Sequence, residues 1–124
     1  MKLSTLMIIK AIVCLGFGIA ILFFPNLLFS LFGVILGAAG LFIAREYGAS
    51  LMGNLALTWY ARNAEESKAR RAIILDLFVY DAIGFVVALV FTLNGTLNVL
   101  GWGVVALYLF LAIGYGYFWL AKTP

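Results

Sequence analysis

Long apolar segments separated by short polar breaks constrain the fold of this chain more than any other feature. Apolar residues dominate residues 3–24, 37–60, 72–93 and 97–121, and the densest group of charges falls at residues 61–71. A helix that crosses the hydrocarbon core of a bilayer needs roughly 20 predominantly apolar residues. The pattern therefore predicts an all-α, polytopic membrane protein, a bundle of four transmembrane helices that forms a single domain over residues 1–124.

The overall composition agrees with lipid as the main solvent. Hydrophobic residues make up 66% of the chain and charged residues only 10%, which leaves too little polar surface to coat a soluble globule. The net charge is +3, but the basic residues are few and mostly flank apolar runs, so no nucleic-acid partner is expected. The expected partners are the lipid bilayer and other transmembrane helices, from the same chain or from other subunits.

The second apolar region needs an internal break. Residues 27–61 are too many for one span at about 1.5 Å of rise per residue. Gly33, Gly37 and Gly40 favour a break, so we predict a short interfacial segment at residues 26–32 and a span at 37–60. The alternative, with spans at 26–44 and 47–61, gives five spans with a short one, and it moves the basic loop to the outer side.

The basic residues predict the orientation of the bundle. Six of the eight lie at the same ends of the predicted spans, at Lys2, Arg62, Lys68, Arg70, Arg71 and Lys122. The two opposite loops, residues 25–36 and 94–96, carry no charge. Because Lys and Arg mark cytoplasmic ends, we expect both termini and the basic loop 61–71 in the cytoplasm.

Ionisable side chains inside the predicted spans are candidates for function, because they cost several kcal/mol in lipid unless they face protein or water. The rise per residue places Lys10, Asp81 and Asn54 about 12 to 15 Å from the cytoplasmic ends of their helices, and Asp76 about 8 Å. We predict that these four residues form an intramembrane polar layer. The layer is either an ion-paired structural contact or a proton-coupled or ligand-binding cavity.

Two further groups of side chains are candidates. Arg45 and Glu46 lie about 25 Å from the cytoplasmic end of their span, where this outer-end charged pair could snorkel to headgroups or contact a ligand or partner. Tyr108, Tyr115 and Trp119 share one face of the last span by helical spacing, and could line a lipophilic ligand such as a quinone or pigment. Ordinary packing is the alternative for this aromatic face.

The composition also excludes several kinds of chemistry. The chain has no histidine, so it cannot by itself build a haem or zinc site with imidazole ligands or a Ser/His/Asp triad. Its single cysteine, Cys14, cannot form an internal disulfide or a CxxC pair. We therefore expect no metal, no cofactor and no enzymatic activity.

One stretch of the chain resembles a known family. The sequence AREYGASLMG at residues 44–53, followed by WYAR at 59–62, is similar to the small four-helix bacterial membrane proteins of the DoxX-like kind. They share a proline that closes the first helix, here Pro25, and an Arg-x-x-Gly step, here Arg45 to Gly48. The resemblance covers most of the length and implies a four-helix fold in a bacterial-type inner membrane. Many members have no assigned activity, so it leaves function open.

Two classes of function fit these features. The first is a non-catalytic accessory or assembly subunit of a larger membrane complex, or a self-associating bundle, because several helices carry small-residue steps that suit helix packing. The alternative is a small transporter or channel, or a binder of a lipophilic ligand, that uses the intramembrane polar layer.

Overall fold

The computed structural model describes residues 1–121, and its regular secondary structure in that range is entirely helical. The helices are α1 (Leu3–Phe23), α2 (Pro25–Leu31), α3 (Ala38–Ala61), α4 (Lys68–Leu93) and α5 (Gly101–Ala121). By length and composition α1, α4 and α5 could each cross a membrane. The chain is thus a helical protein of the membrane type. Lys122, one of the residues behind the predicted orientation, lies outside the described residues.

The break in the second apolar region falls where the glycines predict it. The short helix α2 ends at Leu31, and the chain resumes a helix at Ala38. Gly33 has a φ of +79°, in the left-handed region that glycine adopts without a Cβ clash. The alternative with a helix ending at residue 44 is wrong, because α3 is continuous through Arg45 and Glu46.

The fourth helix begins before the predicted span. It starts at Lys68, where the prediction began at residue 72, because Ser67 caps the helix by accepting a 3.1 Å hydrogen bond from the Arg70 amide. A 2.8 Å ion pair between Glu66 and Arg70 supports the same turn.

The last helix begins later than the prediction of residue 97, because a turn holds the residues before it. Asn98 accepts a 3.0 Å hydrogen bond from the Leu100 amide, and its side chain donates a 2.8 Å hydrogen bond to the Leu31 carbonyl. The helix can start only after this turn, at Gly101. The same turn ties the end of α2 to the loop between α4 and α5.

The helices pack as two pairs. One pair is α1 with α3 and the other is α4 with α5, and a smaller contact joins α1 to α5. The helices α3 and α4 share no extended interface. Glycines set the close approaches: a Cβ on Gly48 would lie 2.9 Å from Leu22 of α1, and one on Gly114 would lie 2.7 Å from Leu6.

The apolar core consists of two clusters along the length of the bundle. The first cluster contains Leu3, Leu6, Met7, Ala61, Ile74, Leu77, Leu111 and Tyr115. The second cluster contains Cys14, Ile21, Ala44 and Leu51. On α1, Lys10 lies one turn from Met7 of the first cluster and one turn from Cys14 of the second cluster. The boundary between the two clusters is therefore polar.

Candidate functional site

A buried ion pair lies at this boundary. Lys10 Nζ on α1 donates to Asp81 Oδ1 on α4 at 2.5 Å, and the two side chains are 2% and 0% exposed. Removing two charges from water is costly, so such a contact persists only when the partners compensate one another. The ion pair joins the α1/α3 pair to the α4/α5 pair.

A cavity of about 130 Å³ adjoins the ion pair on the side of the second cluster. Lys10 and Asp81 contribute to its wall, and the rest of the lining is mostly apolar. Residues Leu28, Phe29 and Phe32 bring α2 and its end to the same cavity. The short helix α2 thus contributes to the wall of a chamber whose other walls come from α1, α3, α4 and α5.

Three tyrosines supply the other polar groups of the cavity wall. The hydroxyls of Tyr47 and Tyr108 are 2.5 Å apart and hydrogen bonded, which joins α3 to α5. The ring of Tyr80 lies 4.5 Å from Lys10 Nζ, a distance suited to a cation–π contact. The rings of Tyr80 and Tyr108 are 6.5 Å apart between centroids. The ion pair and the three phenols therefore form one cluster, which we call the polar centre.

Gly84 positions one of these phenols. A Cβ at Gly84 would lie 2.5 Å from Cε1 of Tyr108, so only glycine lets this ring lie directly against α4. The ring then reaches past α4 to its hydrogen bond with Tyr47.

Two buried oxygens of the polar centre have no hydrogen-bond partner among residues 1–121. They are Oδ2 of Asp81 and the hydroxyl of Tyr80, and both residues line the cavity. A buried carboxylate oxygen without a partner is costly, and native proteins satisfy most such groups. Asp81 Oδ2 can therefore accept a further hydrogen bond, and the Tyr80 hydroxyl can donate one.

The structure brings together only two of the four residues of the predicted polar layer. Lys10 and Asp81 meet, whereas Asp76 is exposed. The five-residue step from Asp76 to Asp81 turns α4 by about 500°, so the two residues lie about 140° apart around the helix. Asn54 is buried against the α1 side of α3 without lining the cavity, and its carbonyl accepts a 2.8 Å hydrogen bond from Thr58.

Arg45 and Glu46 are both exposed on α3. Neither side chain makes an ion pair with another of the residues that the structure describes. Neither residue lines the cavity, because the side of α3 that faces it carries Tyr47 and Leu51.

The predicted aromatic face of α5 does not form one surface. Tyr108 lines the cavity, but Tyr115 is fully buried in the first cluster and Trp119 is half-buried at the far end of the helix. The guanidinium of Arg71 lies 4.4 Å from the Trp119 ring centroid. The three side chains share a helical face, yet about 16 Å of helix separates the first from the last.

Sequence reasoning missed Tyr80 as a member of the site. A tyrosine in an apolar helix usually indicates packing or an interface belt, so it carries no specific signal. Its position next to Asp81 and four residues before Gly84 is the feature that could have drawn attention to it.

No protein-family model, curated protein or solved structure matches this chain.

Proposed function

We propose that this is a non-catalytic integral membrane protein that binds one lipophilic small molecule, with the ligand's polar head at the polar centre. The observation that carries the proposal is the cavity of about 130 Å³, whose lining is apolar except beside the ion pair and the phenols. Small-molecule sites typically combine an apolar cavity with a few placed polar groups.

The proposed setting is a bacterial-type inner membrane, with four spans and both termini in the cytoplasm, as in the DoxX-like proteins. The helix α3 is less apolar than the three candidate spans, but it packs along α1. At 24 residues it is about 36 Å long, enough for a hydrocarbon core of about 30 Å. Because α3 packs along α1, which could span the membrane, we place α3 in the same region of the bilayer.

The size and polarity of the cavity define the class of ligand. A cavity of about 150 Å³ accommodates one benzene molecule, so a volume of about 130 Å³ suits the head of a single-ring compound. Tyr80 can donate to a carbonyl oxygen, and Asp81 Oδ2 can accept from a hydroxyl. A quinone with an apolar tail supplies the carbonyl, and its reduced quinol supplies the hydroxyl.

Binding of 2-decyl-1,4-benzoquinone, whose head is a single, otherwise unsubstituted ring, to the protein in lipid nanodiscs tests this proposal. Native mass spectrometry should find one molecule per chain. We expect Val104→Phe, which adds bulk to the cavity wall, and Tyr80→Phe, which removes the hydroxyl that would donate to the ligand, to weaken binding about tenfold or more. The matched control is Val87→Phe on the exposed side of α4, which should bind as the unaltered protein does.

Competition with decane examines the role of the polar head. A site that uses hydrogen bonds discriminates against a ligand that lacks them, so decane should not displace the quinone. Equal binding to the Val104→Phe variant, or displacement by decane, would contradict the proposal.

A second candidate function is assembly with other membrane helices, as an accessory subunit or a self-associating bundle. Arg45 and Glu46 favour it, because both are exposed on a helix that we place in the membrane. Charged groups at this position are costly in lipid, and a partner helix would shield them. Mass measurement after extraction in mild detergent tests this role, and a lone monomer at native expression levels would count against it.

A further inference from the structure

One face of α3 is unpartnered along most of its length. The residues on it are Phe42, Glu46, Ala49, Gly53, Ala56 and Tyr60, and all six are exposed. Their spacing alternates between four and three residues, the repeat with which one helix packs lengthwise against another. The face lies opposite the side of α3 that buries Gly48 and Leu51 against α1.

Small residues occupy the middle of this face. A Cβ added at Gly53 would meet nothing within 4 Å, so the centre of the face is open. Together with Ala49 and Ala56 it would let a second backbone approach closely. Bulkier rings, Phe42 and Tyr60, lie at the two ends.

One anion at an edge of this face, Glu46, and one cation just beside the other edge, Arg45, lie at nearly the same depth. Arg45 and Glu46 lie about 10 and 12 Å from the start of α3 at Ala38. Successive residues are about 100° apart around a helix, so the two side chains flank the face on opposite sides. The face therefore has a positive flank and a negative flank.

A two-fold axis along the membrane normal would place an opposite charge against each flank. In such a dimer the positive flank of one α3 faces the negative flank of the other, because two-fold interfaces are self-complementary. Arg45 of each copy then meets Glu46 of the other. The same axis keeps both copies in one orientation in the membrane, as charge-directed insertion requires.

We propose that this face of α3 is a homodimer interface, at which Arg45 and Glu46 form two reciprocal ion pairs with a second copy of the chain. The inference rests on the proposed placement of α3 in the membrane and goes beyond ligand binding. The cavity lies on the other side of α3, where Tyr47 and Leu51 contribute to it.

Charge reversal in liposomes tests the proposal, with the dimer dissociation constant measured by lowering the protein-to-lipid ratio. Arg45→Glu alone and Glu46→Arg alone each place like charges together, and we expect each to weaken the dimer about tenfold or more. The double variant with both reversals restores two reciprocal pairs, so its affinity should return toward that of the unaltered protein. The control is Glu65→Arg, at an exposed glutamate outside the face, which should leave the dimer intact.

Disulfide trapping in native membranes provides a test that does not depend on the charge variants. In a Cys14→Ala background, Gly53→Cys should oxidise to a covalent dimer of twice the chain mass, whereas Val86→Cys on the exposed side of α4 should not. Circular dichroism melting of every variant checks that the fold is kept.

Three results would overturn the homodimer. They are a monomeric unaltered protein in lipid, a double reversal as weak as the single ones, and a Gly53→Cys adduct of a mass other than two chains. A double reversal as weak as the single ones would indicate that Arg45 and Glu46 contact lipid headgroups. An adduct of another mass would indicate a different partner. Failure of 2-decyl-1,4-benzoquinone binding with the dimer kept would refute the proposed function alone, and loss of the dimer with binding kept would refute this inference alone.

Discussion

Lys10 Nζ lies 2.5 Å from Asp81 Oδ1, although 71 positions of sequence separate the two residues. It is the one ion pair between helices in the part of the chain that the structure describes. The ion pair therefore links α1 to α4, two helices that share no extended interface of their own.

Asp81→Asn should destabilise the protein by leaving the lysine charge buried without a counter-charge. Breaking one partner of a buried pair costs about 3 to 5 kcal/mol. Adding Lys10→Met removes the stranded charge and should recover most of the loss, which thermal unfolding of the single and double variants would measure. Asp76→Asn is the matched control on an exposed carboxylate of the same helix. An equal loss of stability there would contradict the assigned pairing.

Gly84→Ala should displace the ring of Tyr108, because the new Cβ would lie 2.5 Å from Cε1 of that ring. Overpacking of this kind costs about 1 to 3 kcal/mol, and the hydrogen bond to Tyr47 would be lost with it. The melting temperature in detergent reports the cost. Gly103→Ala provides the comparison, since a Cβ there meets nothing within 4 Å. If both variants melt alike, the close approach at Gly84 has no energetic consequence.

Arg71→Lys should loosen the end of α5. Arg71 donates to the carbonyls of Phe118 at 3.2 Å and Trp119 at 2.5 Å. A lysine cannot reproduce this planar fork, and hydrogen bonds to charged groups contribute about 1.5 to 3 kcal/mol. Hydrogen exchange of the last turn of α5 should speed up. Arg70→Lys, which alters only an exposed ion pair with Glu66, should change exchange there very little.

The proposed orientation predicts opposite labelling of two exposed loops. In a Cys14→Ala background, Glu65→Cys should react with an impermeant thiol reagent from the cytoplasmic side and Thr96→Cys from the outer side. Right-side-out and inside-out vesicles give the two measurements. Reaction of both positions from the same side would show that the four-span topology is wrong.

The helix positions were largely predictable from the sequence, because apolar length and breaking residues determine where a spanning helix can lie. The bounds of α1 and α3 agree with the predicted ones to within one residue at each end. The starts of α4 and α5 differ by four residues each, because the cap at Ser67 and the turn at Asn98 depend on side-chain hydrogen bonds that hydropathy does not contain.

The partner of Lys10 could not be predicted in the same way. Depth along the helix allowed either Asp76 or Asp81, and only the rotation of α4 decides between them. In a soluble helix the polar face reveals that rotation, but α4 is apolar on most sides, so the sequence gives little indication of which side faces inward. The contact of Tyr47 with Tyr108 depends in addition on how α3, α4 and α5 pack together.

The long sequence separation of the ion pair has a consequence for biogenesis. Lys10 enters the membrane with the first helix, and its counter-charge is made 71 residues later. At about 5 to 20 residues per second, translation needs roughly 4 to 14 s to supply Asp81. During that interval the lysine must remain near water or the insertion machinery. The two helical pairs are therefore expected to be inserted in sequence, and the arrival of α4 is the step that lets α1 take its final depth.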